Sequence, residues 1–155
     1  MTAAPPLDWR LRPFDALAPR ELRRLYALRQ QVFVVEQACA FLDADDRDEA
    51  ALHLAAWPAA ADEGPLACAR LLPPGVAAAE PSIGRVATSL AARGTGLGRE
   101  TVRRAIEAVE ATWPGLGIHL SAQSRLERFY GGFGFAPSGE RYDEDGIPHT
   151  PMRRS

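Results

Sequence analysis

The segment Arg93-Gly94-Thr95-Gly96-Leu97-Gly98 is where residue types and spacing first point to chemistry. Glycines at 94, 96 and 98 let the backbone approach a ligand closely with its N–H groups exposed. Apolar residues recur at helical spacing from Leu97, so a helix is predicted directly after the loop. Its unpaired first amides and positive dipole end favour an anion such as a pyrophosphate. Glycines that merely close a strand-to-helix turn are the competing explanation. Two phosphate-binding signatures are excluded. The 18 basic residues are all Arg, and without Lys neither a Walker loop nor a Schiff-base lysine can be built. A Gly-x-Gly-x-x-Gly dinucleotide fingerprint fails at Arg99 when counted from Gly94 and at Thr101 when counted from Gly96.

Groups able to move protons are sparse. His53 has a suitable intrinsic pKa, near 6.5, but it lies in the apolar run Leu52–Trp57. There it reads equally as a hydrogen-bonded structural residue. His149 follows Glu144 and Asp145 in the tail. The run Asp43–Glu49 carries five carboxylates in seven residues. An EF-hand fails there, because Arg47 occupies a ligand position, the sixth position lacks Gly and the twelfth is Leu54. A solvated loop and a loop that meets a cationic substrate both remain open. Cys39, Cys68 and the three His have no metal-ligand spacing, so no metal is expected. The two cysteines are either one bridge or two semi-buried thiols.

Net charge is −2, with 8 Arg against 11 acids over residues 1–77 and 10 against 9 over 78–155. Neither half is a basic nucleic-acid footprint. Asn is absent, which excludes N-glycosylation. No apolar stretch of about 18 residues occurs and the N-terminus has no signal pattern, so a cytoplasmic protein with no membrane partner is expected.

The elements that must position these groups follow from periodicity. A length of 155 residues predicts one domain, 1–155, with a real core. Alternation over 7–14 predicts a half-buried strand, and helical spacing over 19–37 an amphipathic helix with Arg20, Arg23 and Arg24 on its wet face. Residues 52–57 and 65–72 read as a hairpin, 82–89 as a third strand, 97–112 as a helix stopped by Pro114 and Gly115, and 117–121 as a short strand. A second helix is expected over 124–131, then one or two edge strands in the tail. Strands interleaved with helices make an α/β (α+β) layer architecture.

Resemblance to a known family extends over nearly the whole chain. It is carried by Leu28-Arg-Gln-Gln-Val-Phe-Val-Val-Glu-Gln37, Asp43-Ala-Asp-Asp46, Ala51-Leu-His53, Ala69-Arg-Leu71, Ile83-Gly-Arg-Val86, Arg93-x-x-Gly96-x-Gly98, Ser121-Ala-Gln123, Phe129-Tyr-Gly-Gly-Phe-Gly-Phe135 and Glu144-Asp-Gly-Ile-Pro-His149. In this order they resemble the ElaA-like subgroup of the GNAT acetyltransferases. The resemblance implies a mixed, mostly antiparallel splayed sheet flanked by helices, binding acetyl-CoA in the splay and acetylating an amine acceptor. Homodimers occur in the superfamily, and nothing here favours or excludes one. By the same resemblance the backbone of Val86, Ala87 and Thr88 meets the pantetheine arm and the thioester carbonyl. Arg93, Gly94, Thr95, Gly96, Leu97 and Gly98 hold the pyrophosphate, with Arg99 either assisting or merely solvated. Tyr130 matches the tyrosine that protonates the departing thiolate, or is a packing aromatic. Glu36, at the end of the first helix where the superfamily builds its acceptor pocket, is a candidate base. His53, His149 and a water chain are the others. A module that binds acyl-CoA without turnover, and a transferase of longer acyl groups, are alternative functions.

Overall fold

The computed structural model describes residues 6–60 and 63–155. Eight strands form one sheet: β1 (Asp8–Pro13), β2 (Leu52–Trp57), β3 (Ala67–Leu72), β4 (Ser82–Thr88), β5 (Ile118–Gln123), β6 (Ala136–Pro137), β7 (Tyr142–Glu144) and β8 (Ile147–Arg154). Their order is β1-β2-β3-β4-β5-β8-β6, with β7 also paired to β8. Every pairing is antiparallel except β4 with β5. Helices α1 (Pro19–Gln30), α2 (Arg47–Ala50), α3 (Leu97–Thr112) and α4 (Glu127–Gly131) complete the fold.

Side chains alternate across a strand, so the sheet has two faces with separate cores. On one face Leu54, Ala69, Leu71, Ile83, Ile118, Leu120, Ala122 and Met152 pack under α3 through its buried Val102, Ala105, Ile106 and Val109. Each fully buried aliphatic side chain there contributes about 1.5–3 kcal/mol. On the other face Ala55, Trp57, Cys68 and Ala87 pack against Leu25, Leu28 and Val32 of the first helix.

Three sequence expectations are corrected. The first helix is α-helical only to Gln30, and Gln31–Glu36 widens into a π-helical turn. The branched Val32, Val34 and Val35 fit poorly in a tight α-turn, and the wider turn carries Phe33 and Glu36 to the cleft described below. β1 is an edge strand whose Leu11 stays 40% exposed. In the tail, β8 is interior: β5 flanks one side, β6 and β7 the other. Its Pro151 is tolerated because it falls between the residues paired to β6 (Met152, Arg153) and those paired to β7 (Ile147–His149).

Candidate active site

β4 and β5 share a single register pair, Ser82 with His119, supported by the His119 amide donating to the Pro81 carbonyl at 2.9 Å. Beyond it the strands part. A cleft of about 760 Å³ opens between them, lined by Ile83–Thr88 of β4, His119–Gln123 of β5, and residues of the π-turn, α4 and the β7–β8 hairpin.

The cause of the parting is visible in β4. Register with β3 slips between Cys68↔Ala87 and Arg70↔Gly84, so one extra residue is accommodated as a bulge. Arg85 takes it up with φ +48°, a conformation costing a non-glycine residue about 1–3 kcal/mol. Burial and the charge of Arg70 work against its guanidinium there and lower its pKa, while Asp43 and Asp45 favour it. Arg85 Nε meets Asp43 Oδ1 at 2.8 Å, too bent for a hydrogen bond, while its Nη2 donates to the Asp43 carbonyl at 3.1 Å.

Asp43 belongs to a buried network that resolves the role of the acidic run. Arg29 Nε donates to Asp43 Oδ2 at 2.8 Å, and its Nη1 and Nη2 donate to Asp48 Oδ1 and Oδ2 at 2.9 and 3.2 Å. Arg70 Nη1 donates to Asp45 Oδ1 at 2.7 Å and to Asp48 Oδ1 at 3.0 Å. Burial opposes charge on Asp48, but hydrogen bonds from Arg29, Arg70 and the Asp45 amide, with the charge of Arg29, bring its pKa down to about 2. The run is thus neither a free solvated loop nor an open cation trap; three of its carboxylates are occupied by the protein's own arginines. Two signals in the sequence pointed there: Arg29 follows the apolar Leu25 and Leu28 on one helix face, and Arg70 interrupts an otherwise apolar strand.

The glycine loop stands at the N-terminus of α3. Gly94 and Gly96 have φ of +77° and +87°, which a side chain rarely adopts, and the Thr95 hydroxyl donates to the Ala92 carbonyl at 2.5 Å. Leu97 and Gly98 begin the helix, and Gly98 reaches the cleft. Arg99 is exposed, its guanidinium 5.7 Å from the Phe129 ring centroid. Val86, Ala87 and Thr88 line the cleft on the stretch of β4 that β5 leaves unpaired. Tyr130, at the end of α4, also faces it. Only 7% exposed, it packs edge-on against Phe129 and Phe135, and burial pushes its phenol up to about 12.

The candidate bases fare differently. Glu36 lines the cleft, but its Oε2 accepts Arg93 Nη2 at 2.5 Å, while Arg93 Nε holds the Thr88 carbonyl at 3.1 Å. His53 is not brought to the cleft. It is 3% exposed, contacts Phe14, and its Nε2 lies 2.8 Å from the Asp48 carbonyl; burial lowers its pKa. His149 does line the cleft. Cys39 and Cys68 are separate thiols, donating to the Asp145 and Arg85 carbonyls.

A mostly antiparallel sheet splayed at its one parallel junction, with a glycine loop and buried tyrosine at the opening, is the GNAT-like α/β fold. The model of the acetyltransferase (GNAT) domain matches residues 59–155, and the chain belongs to this family. It is 41% identical over 146 residues, 94% of each chain, to a UPF0039 protein of Synechocystis. A solved acyl-CoA N-acyltransferase of Pseudomonas aeruginosa superposes with a TM-score of 0.89 at 42% identity, over 96% of this chain and 99% of that one. The crystal structure of Escherichia coli ElaA gives 0.88 at 35% identity, with the same coverage.

Proposed function

We propose that this protein moves an acetyl group from acetyl-CoA to a primary amine of a small molecule or peptide, by direct attack of the amine on the thioester. The observation that carries this is the unpaired edge of β4 from Val86 to Thr88, opening onto the same cleft as Gly98 and Tyr130. An extended pantetheine arm fits as a surrogate strand on that edge, and a backbone N–H of Val86–Thr88 supplies the donor for charge growing on the thioester oxygen. Amides of Gly94–Gly98 and the α3 dipole meet the pyrophosphate, with charge-assisted contacts from Arg93 and Arg99. Arg93 reaches that position by exchanging or sharing its bond to Glu36.

Tyr130 is the general acid. With its pKa at about 12 the phenol stays protonated at neutral pH, so its O–H is available to hydrogen-bond the departing sulfur and stabilise the charge gathering there. Glu36, already engaged by a guanidinium, serves better to hold Arg93 than to accept a proton, and buried His53 serves the ion network. Incubation with acetyl-CoA and a panel of primary amines, read by mass spectrometry, should yield an acetylated product. Binding of acetyl-CoA with no product from any amine would instead establish a non-catalytic acyl-CoA module. A donor series of increasing chain length decides the acyl group.

A further inference from the structure

From the arrangement of β7 and β8 we infer that His149 is the general base that takes the amine proton, with Glu144 stabilising the imidazolium; this rests on the acyltransfer proposed above. His149 Nδ1 lies 2.8 Å from the Ile147 carbonyl oxygen. A carbonyl only accepts, so Nδ1 carries the hydrogen, and in the neutral ring the lone pair is on Nε2, the nitrogen that faces Glu144. Nε2 stands 3.5 Å from Glu144 Oε2. The Tyr142 ring stacks on the imidazole at 5.8 Å and 28°, and the Tyr142 hydroxyl hydrogen-bonds Ser121 Oγ. The ring is held flat, in one tautomer, with 14% of its side chain exposed where the cleft meets it. The same three features define an oriented base beside a carboxylate.

Its side of the sheet is the right one. His149 pairs with Gln123, and both lie opposite the face where Leu120, Ala122, Met152 and Tyr130 pack under α3. The cleft passes between β4 and β5 and touches both faces, so the acid sits on one side of the opening and the base on the other. In the reaction the amine lone pair forms the N–C bond, the C–S pair leaves on sulfur, one proton passes from nitrogen to His149 Nε2, and one passes from Tyr130 to the thiolate. His149 then releases its proton to solvent and Tyr130 takes one back, which restores both side chains, and the products are the amide and free CoA thiol. Two other proton-bearing groups that line the cleft have partners. His119 sits at the closed end, its Nδ1 3.5 Å from Ser82 Oγ, and Cys39 donates to the Asp145 carbonyl.

Charged and titratable neighbours of His149 are Glu144 and Tyr142 on β7, Asp145 at the turn, and Arg125, which holds its partner Gln123. The test uses the full chain with acetyl-CoA and 2-phenylethylamine, 1,4-diaminobutane and a tripeptide amine as acceptors, following kcat/KM against pH. His149→Gln should lower kcat/KM about 10²-fold or more at neutral pH and abolish the acidic limb, with acetyl-CoA affinity unchanged. Added imidazole should restore part of the rate. Glu144→Gln, an exposed change, should lower the rate severalfold with acetyl-CoA affinity kept. Wild-type transfer with unchanged rate and pH limb in both variants overturns the base assignment alone. Absence of transfer by the wild type overturns the acyltransferase proposal and this assignment together. His149→Gln that loses acetyl-CoA binding as well as rate marks a structural role and also overturns the assignment.

Discussion

The two halves of the sheet handle charge in opposite ways. From β1 to β4, Arg29, Arg70 and Arg85 face Asp43, Asp45 and Asp48, and most of these atoms are sealed from water. From β5 to β8, Glu144 stands half exposed beside His149, and at the cleft between the halves Arg93 pairs with Glu36. The difference teaches what burial does to ordinary residues. Sealed, complementary charges hold a strained bulge in place and have no freedom to exchange protons. At the cleft, the same residue types keep access to solvent.

The contrast breaks most severely at its buried end. Arg29→Ala strands Asp43 and Asp48 without their principal cation, so stability should fall by about 3–5 kcal/mol, seen as a lower denaturant midpoint or failure to fold. Tyr130→Phe, on the cleft side, should cost about 10²-fold in acetyl transfer while acetyl-CoA binding and the denaturant midpoint are kept. Retained transfer would reduce Tyr130 to a packing aromatic. Acid separates the halves next. Both His53 and Asp48 have folded pKa values below their unfolded ones, so the unfolded chain binds more protons and stability must fall as pH falls. The loss begins near the unfolded His value of about 6.5 and continues from the ordinary Asp value of about 4 down to about 2. Urea midpoints against pH should show both phases, and His53→Gln should shrink the upper one, to which His119, also lowered by burial, contributes. The smallest effect belongs to Arg93→Ala. Its exposed pair contributes at most about 1 kcal/mol, so stability should barely move while KM for acetyl-CoA rises severalfold.

Much of this was legible in the chain itself. Periodicity located the hairpin of β2 and β3, the glycine loop and α3 nearly to the residue, because each has strong local causes: an apolar stripe, glycines with positive φ, and Pro114 with Gly115 as a stop. The motif Phe129-Tyr130 brought Tyr130 forward, and the structure sets it at the cleft. Other features had weak local signals. No propensity places Arg85 at φ +48°, and its guanidinium is received by Asp43 and Asp45, some 40 residues earlier. Glu36 and His53 are plausible bases by residue type, yet one is held by Arg93 and the other is buried beside Asp48.

Most element types, the glycine loop before α3 and the exclusion of lysine chemistry were therefore decided by the amino-acid sequence alone, through short-range sterics and composition. Which histidine meets the cleft, which acids are neutralised, and where β4 leaves β5 were decided only by tertiary structure. Burial and charge pairing between residues far apart in the chain set those outcomes.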